Sequence, residues 1–233
     1  MNKKILALIG IAFFGLGSLS ANAAIADISL FDYGFNIDGS GTNFLDGDAI
    51  PGNVDVSGFS LVTGLGQIDI SITGAGAHNA LTFLDIEIDE AINTFFNESA
   101  MTGGSLGSGQ SWEADEPGFG GIVGDIYTNY MGNALDNTNA VGAIQEDVSL
   151  ALGWDFTLLA GQSAVASFFT STANDAGGMF HFEQIDPDSQ ASVFFWSDLN
   201  ITGGPADLPE PGTLGLALFG MLSVFGLRRR KTH

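Results

Sequence analysis

Carboxylates are the side chains in this sequence with the most chemistry to offer, and their spacing sorts them into groups. Asp85, Glu87 and Asp89 recur at every second position, Asp46 is followed by Asp48, and Asp186 is followed by Asp188. Hard cations collect several oxygen ligands, and acidic segments supply them. Calcium is therefore the expected ligand, with Asp85, Glu87, Asp89, Asp186 and Asp188 as candidate donors. None of these groups has the EF-hand spacing or the nonapeptide calcium repeat. A solvated acidic surface is the competing reading.

Other candidate chemistry carries less weight. Gly103-Gly104-Ser105-Leu106-Gly107 has the G-x-S-x-G form of a hydrolase nucleophile turn. That motif works only between a strand and a helix of an α/β sheet, and the Gly/Ser-rich surroundings predict a loop. His78 and His181 are too few for a zinc site, which needs three or four ligands. Paired carboxylates hydrolyse glycosides, but with 27 acids some pair must fall within roughly 5–10 Å by chance. Trp112 and Trp196 are the candidates to stack on a sugar, whereas Trp154 reads as core. No Thr-x-Thr ladder of the kind an ice-binding face requires is present. No catalytic set is assigned.

The elements that hold these residues read as strands. Apolar and polar positions alternate at Val54 and Val56, at Ile68, Ile70 and Ile72, and at Leu84, Ile86 and Ile88. The longest case sets Val148, Leu150, Leu152, Trp154, Phe156 and Leu158 on one face, with Gly153 expected to mark a bulge. Phe180 and Phe182 alternate with His181 and Glu183, and the run Val193–Ile201 is aromatic on both faces. Gly-, Asn- and Ser-rich turns separate these runs. The pattern predicts an all-β antiparallel β-sandwich, jelly-roll or immunoglobulin-like, over residues 24–204, with the acids of Asp85, Glu87 and Asp89 on an outer face. Short helices are expected at Asp125–Met131 and Asp89–Ala100. A β-solenoid would need an internal repeat, and none is found.

Charge is distributed with a sharp asymmetry. The chain has 233 residues and a formal net charge of -21. Its six basic residues are Lys3, Lys4, Arg228, Arg229, Arg230 and Lys231, while all 27 acids lie from Asp27 to Glu210. Such a body repels phosphate backbones, which excludes nucleic acid as a partner, and it repels anionic membrane surfaces. Its carboxylates have no Lys or Arg to pair with, so a buried one must bond a neutral donor, bind a cation or take up a proton. Cysteine is absent, which excludes disulfides, thiolate metal sites and a cysteine nucleophile. Hydrophobic residues make up 45%, enough to build a core and so to argue against disorder.

Both ends read as addresses. Lys3-Lys4, an apolar run from Ile5 and then Ala21-Asn22-Ala23 form a signal peptide over residues 1–23, cut by signal peptidase after Ala23. At the other end, residues 205–213 form a linker containing Pro209-Glu210-Pro211, Leu214–Leu227 is wholly apolar or small, and Arg228-Arg229-Arg230-Lys231 opens a basic tail over residues 228–233. As a helix, residues 214–227 span about 21 Å, short of the ~30 Å hydrocarbon core. Snorkelling Arg and Lys extend such a span and hold its cytoplasmic end.

In that order, signal peptide, acidic body, Pro-Glu-Pro, apolar helix and basic stop, the sequence resembles the PEP-CTERM proteins. The resemblance implies processing near Pro209–Pro211 by an exosortase, in Gram-negative bacteria that make exopolysaccharide. It also implies a precursor held in the membrane by its C-terminal helix, then a body at the cell surface or outside the cell. The expected function is a non-enzymatic surface or biofilm-matrix protein associated with exopolysaccharide. The alternative is a secreted carbohydrate-binding module or glycoside hydrolase.

Overall fold

A computed structural model describes residues 27–90, 96–118, 124–141 and 146–204. The signal peptide with Ala21 and Ala23, the Pro209-Glu210-Pro211 motif, the apolar run 214–227 and the stop at Arg228, Arg229, Arg230 and Lys231 lie outside the described residues. Among the described residues, no helix is long and apolar enough to cross a membrane.

Two antiparallel sheets carry the fold. The first has five strands in the order β2 (Ser40–Asn43), β1 (Ile28–Ile37), β5 (Gly76–Ile88), β8 (Ser149–Leu158), β7 (Gln110–Asp115). The second has six, in the order β3 (Val54–Phe59), β4 (Gly66–Thr73), β9 (Gln162–Ser171), β11 (Ala191–Gly203), β10 (His181–Asp186), β6 (Ser99–Gly103). The chain changes sheet between β2 and β3, β4 and β5, β5 and β6, β6 and β7, and β8 and β9, so each sheet is assembled from distant segments.

Period-2 alternation puts one row of each strand inward. Phe35, Leu84, Ile86, Leu150 and Leu152 of the first sheet share a buried core with Ile68, Ile70, Phe168, Phe182 and Phe195 of the second. Each such side chain contributes about 1.5–3 kcal/mol by leaving water. This is the two-layer arrangement that the alternation predicted. Asp38 (φ 52) and Gly39 (φ 78) link β1 to β2 with left-handed residues at both central positions. That backbone matches the twist of the strands, and it is tolerated by Asp and Gly.

The first sheet is covered on its outer face as well. Helix α1 (Ile126–Met131) lays Ile126 and Tyr130 against Leu81, Phe83 and Ala151, with Leu135 completing a second apolar cluster. Tyr130 Oη donates to Thr42 O at 2.6 Å, and Asn36 Nδ2 donates to Tyr130 O at 2.8 Å, tying the helix across β1 and β2. The expected helix at Asp125–Met131 is therefore present. Within Asp89–Ala100, residues 91–95 lie outside the described residues, and Ser99 already begins β6.

Two local expectations are corrected. Gly153 marks no bulge, because its register with Leu81 and Ser111 runs unbroken. A Cβ there would sit 2.7 Å from Leu81 Cγ and 2.9 Å from Ser111 Oγ, so the glycine permits a close approach from both neighbouring strands. The register shifts fall instead between Leu30 and Asp32 and between Asp55 and Gly58. The acids of β5 do not face solvent either. Asp85 is 1% exposed and Glu87 7%, and Asp89, just past the end of β5, is 7% exposed.

Candidate functional site

Register places a row of polar residues across the outer face of the first sheet. Asp32 of β1 stands opposite Asp85 of β5, Asp85 opposite Ser149 of β8, and Ser149 opposite Asp115 of β7. Directly opposed residues in an antiparallel pair put their side chains on the same face. Glu87 continues the row from β5, and Asp147, two residues before Ser149, meets it from the segment leading into β8. Single carboxylate oxygens of Asp85, Glu87 and Asp147 lie within 4.8 Å of one another. Asp85 and Glu87 are buried and Asp147 is half-buried.

The electrostatics of this trio follow from the missing cations. Burial raises the Asp85 carboxyl well above the usual carboxylate range, and the neighbouring Asp147 and Glu87 raise it further. Glu87 is pushed up to about 7 by burial, then by Asp147 and Glu90, and burial lifts Asp147 to about 6. The Ser149 hydroxyl sits beside Asp85 and favours its charged form. Even so, among the described residues neither Ser149 Oγ nor Asp85 Oδ1 has a partner at hydrogen-bond geometry.

The other acids are engaged locally. Asp89 Oδ1 accepts from Asp27 N at 2.6 Å, which closes the start of β1 onto the end of β5 rather than joining Asp85 and Glu87. Asp186 Oδ1 accepts from Asp188 N at 2.9 Å and from Asn97 Nδ2 at 3.1 Å, and its Oδ2 accepts from Ser189 N at 3.3 Å. Asp186 thus shapes the turn from β10 to β11, an Asx-type use of a carboxylate, while Asp188 accepts from Asn97 Nδ2 at 3.4 Å. Asp46 accepts from Tyr127 Oη at 2.8 Å, and Asp48 accepts from Asn43 N at 3.2 Å.

A second trio, Glu113, Asp115 and Asp125, also gathers three acids. The oxygens of Glu113 and Asp115 are occupied. Glu113 accepts from Asn129 Nδ2 at 3.0 Å and from Asp136 N at 3.1 Å, and Asp115 Oδ2 accepts from Asp125 N at 2.9 Å. Burial pushes Glu113 up to about 7 against those bonds. Glu98 is the most perturbed of the core acids with a definite value. It accepts from Ile88 N at 2.7 Å and from Gln184 Nε2, yet burial drives it up to about 8. Asp147, Glu113 and Glu98 were not singled out from sequence. They sit outside the alternating runs, and only their fold neighbours give them meaning.

The remaining candidates do not converge. Gly103 ends β6, Gly104 takes φ +75, and Ser105 bridges to Met179 before the chain enters β7, so the G-x-S-x-G segment joins two strands with no helix after it. His78 on the first sheet pairs with Asp38 Oδ2 at 3.0 Å, which raises its pKa. His181 belongs to the second sheet. None of the three tryptophans is exposed. Trp112 packs on Phe180 and Phe182, Trp154 Nε1 donates to Ser197 Oγ at 3.0 Å, and Trp196 stacks on Phe169 and is 7% exposed. Trp112 and Trp154 serve the interior of the sandwich, whereas Trp196 alternates with the inward Phe195 and is buried against Phe169 on the outer face of the second sheet.

Comparison with known proteins bears on the C-terminus. Residues 207–231 match the family model described as a PEP-CTERM protein-sorting motif. No curated protein and no solved structure matches the chain. The chain thus ends in a PEP-CTERM sorting motif, which marks it as an exosortase substrate exported through a membrane-anchored precursor to the cell surface or beyond.

Proposed function

We propose that the body is a non-enzymatic structural component of the exopolysaccharide-rich layer outside the cell, cut from its signal peptide by signal peptidase and from its tail by exosortase. The observation that carries this reading is the charge segregation. Every Lys and Arg lies in the terminal segments, and the body between them has 27 acids and neither basic residue. Positive charge near a span holds a segment in the cytoplasm, so this body carries no such hold of its own. Outside the cell, a dense negative surface keeps the body soluble and draws counter-ions. We read the sandwich as jelly-roll or immunoglobulin-like, because repeated sheet-to-sheet crossings lock the two layers together without any disulfide.

The test is to express the full chain in an exopolysaccharide-forming exosortase host and weigh the product by mass spectrometry in cells, matrix and medium. The expected product begins at Ala24, ends near Pro209–Pro211 and is recovered with the matrix. Loss of exopolysaccharide synthesis is expected to shift it into the medium. Recovery of the intact chain from the cytosol would refute the export reading, and an unchanged distribution without exopolysaccharide would refute the matrix reading.

A further inference from the structure

We propose that Asp85, Glu87 and Asp147, with the Ser149 hydroxyl, form a calcium-binding site on the outer face of the first sheet. The three carboxylates come from two strands held in fixed register, Asp85 and Glu87 from β5 and Asp147 from the residues that lead into β8. One oxygen from each lies within 4.8 Å of the other two. Oxygens bound about 2.3–2.6 Å from one calcium ion can be separated by up to about 5 Å, so the trio is already within the span of a single ion.

Proximity of acids alone would not distinguish this place from the Glu113 trio. Two further atoms do. Asp85 is 1% exposed and Ser149 is 0% exposed, and Asp85 Oδ1 and Ser149 Oγ are both buried without a hydrogen-bond partner among the described residues. Because Asp85 and Ser149 are directly opposed, both atoms are on the face that carries Glu87. Buried oxygens are nearly always satisfied by a donor or a cation. No Lys or Arg exists in the body to bring a positive charge to them. Donors of this kind, all oxygen and three of them anionic, suit a hard cation and not the nitrogen and sulfur preferences of zinc or copper. The other acids singled out by spacing are not gathered into this trio. Asp89 is engaged with Asp27 N, and Asp186 is engaged in its own turn.

Binding is expected in the range of extracellular modules, about 10⁻⁴ to 10⁻³ M. The full chain in detergent is stripped with EDTA and melted in 10 mM CaCl2, in MgCl2 at the same concentration, and in NaCl of matched ionic strength. Calcium is expected to raise the Tm by about 3–10 °C beyond the sodium control. Asp147→Asn is expected to abolish the rise, Ser149→Ala to weaken calcium binding several-fold with the fold retained, and Asp175→Asn, an exposed acid elsewhere, to leave it intact. Equilibrium dialysis with calcium alone is expected to lose one saturable ion per chain in Asp147→Asn. The proposal is overturned if wild type shows no calcium-specific rise. It is equally overturned if Asp147→Asn and Ser149→Ala keep the full response, which would mean general screening of the acidic surface.

Discussion

Raising the pH from 5 to 8 in EDTA should destabilise this protein, and Glu98 is the residue through which the effect is best measured. Its carboxyl is held at about 8 against an ordinary value of 4.5, because burial penalises the ionised form more than Ile88 N and Gln184 Nε2 reward it. The folded state therefore keeps a proton that the unfolded chain releases near 4.5. Between those values the folded state binds more protons than the unfolded one, so stability falls as pH rises. The contribution is complete below about 4.5 and gone above about 8. The slope is about 1.4 kcal/mol per pH unit for one proton, and the full interval corresponds to about 5 kcal/mol. For a domain of this size each kcal/mol moves the Tm by roughly 2–4 °C, so the share of about 4 kcal/mol that is lost between pH 5 and 8 is worth a fall of about 8–16 °C. Glu87 and Glu113, each at about 7, act in the same direction. The assay is a series of thermal and urea melts at pH 5, 6, 7 and 8 in 0.5 M NaCl, which mutes long-range repulsion. Glu98→Gln cannot ionise. Whatever its absolute stability, its pH slope should be shallower by about one proton. A wild-type Tm that is flat or rising from pH 5 to 8, or an unchanged slope in Glu98→Gln, would refute the reasoning.

Three further outcomes are expected. Gly34→Ala places a Cβ 2.5 Å from Thr42 O and 2.6 Å from Tyr130 Oη, so it should cost about 1–3 kcal/mol in urea melts by prising α1 from β1 and β2; a neutral result would mean the helix is not clamped there. Replacing Pro209-Glu210-Pro211 by alanines should leave the tail uncut and the protein in the membrane fraction, read by immunoblot mass; normal processing would show that the motif is dispensable. Trypsin should leave the mature body at unchanged mass even in urea, since it has no Lys or Arg to cut after, and a loss of mass on digestion would mean that a Lys- or Arg-bearing end is still attached.

The strands were legible where side chains differ strongly at period 2. Leu84, Ile86 and Ile88 against Asp85, Glu87 and Asp89 announced β5, and Ile68, Ile70 and Ile72 announced β4. β9 escaped notice because its inner row, Ala164, Ala166 and Phe168, alternates with Ser163, Val165 and Ser167, a contrast too weak to read. The burial of Asp85 and Glu87 was hidden for a different reason. Alternation tells which residues share a face, not whether another part of the chain lies over it, and Tyr130 of α1 is remote in sequence from Phe83 beneath it. Hence Asp85 and Glu87 were found together from spacing, while Asp147 and Ser149 were supplied by register. Asp186 was read as a ligand from its spacing to Asp188, while Asp-Pro-Asp-Ser is also a turn signal, and its carboxylate accepts hydrogen bonds within that turn.

The long final strand has a mechanical meaning. Phe194 to Gly203 of β11 lies in unbroken register with Ser171 to Gln162 of β9, and the sorting motif begins a few residues further on, at residue 207. A body moored through that end would receive any pull from flowing water along the axis of β11. The ladder to β9 would then be loaded in shear, its rungs strained together instead of parting one after another like a zip. Drag that peels a hairpin from its edge would, at this anchor, have to break a whole row of hydrogen bonds at once.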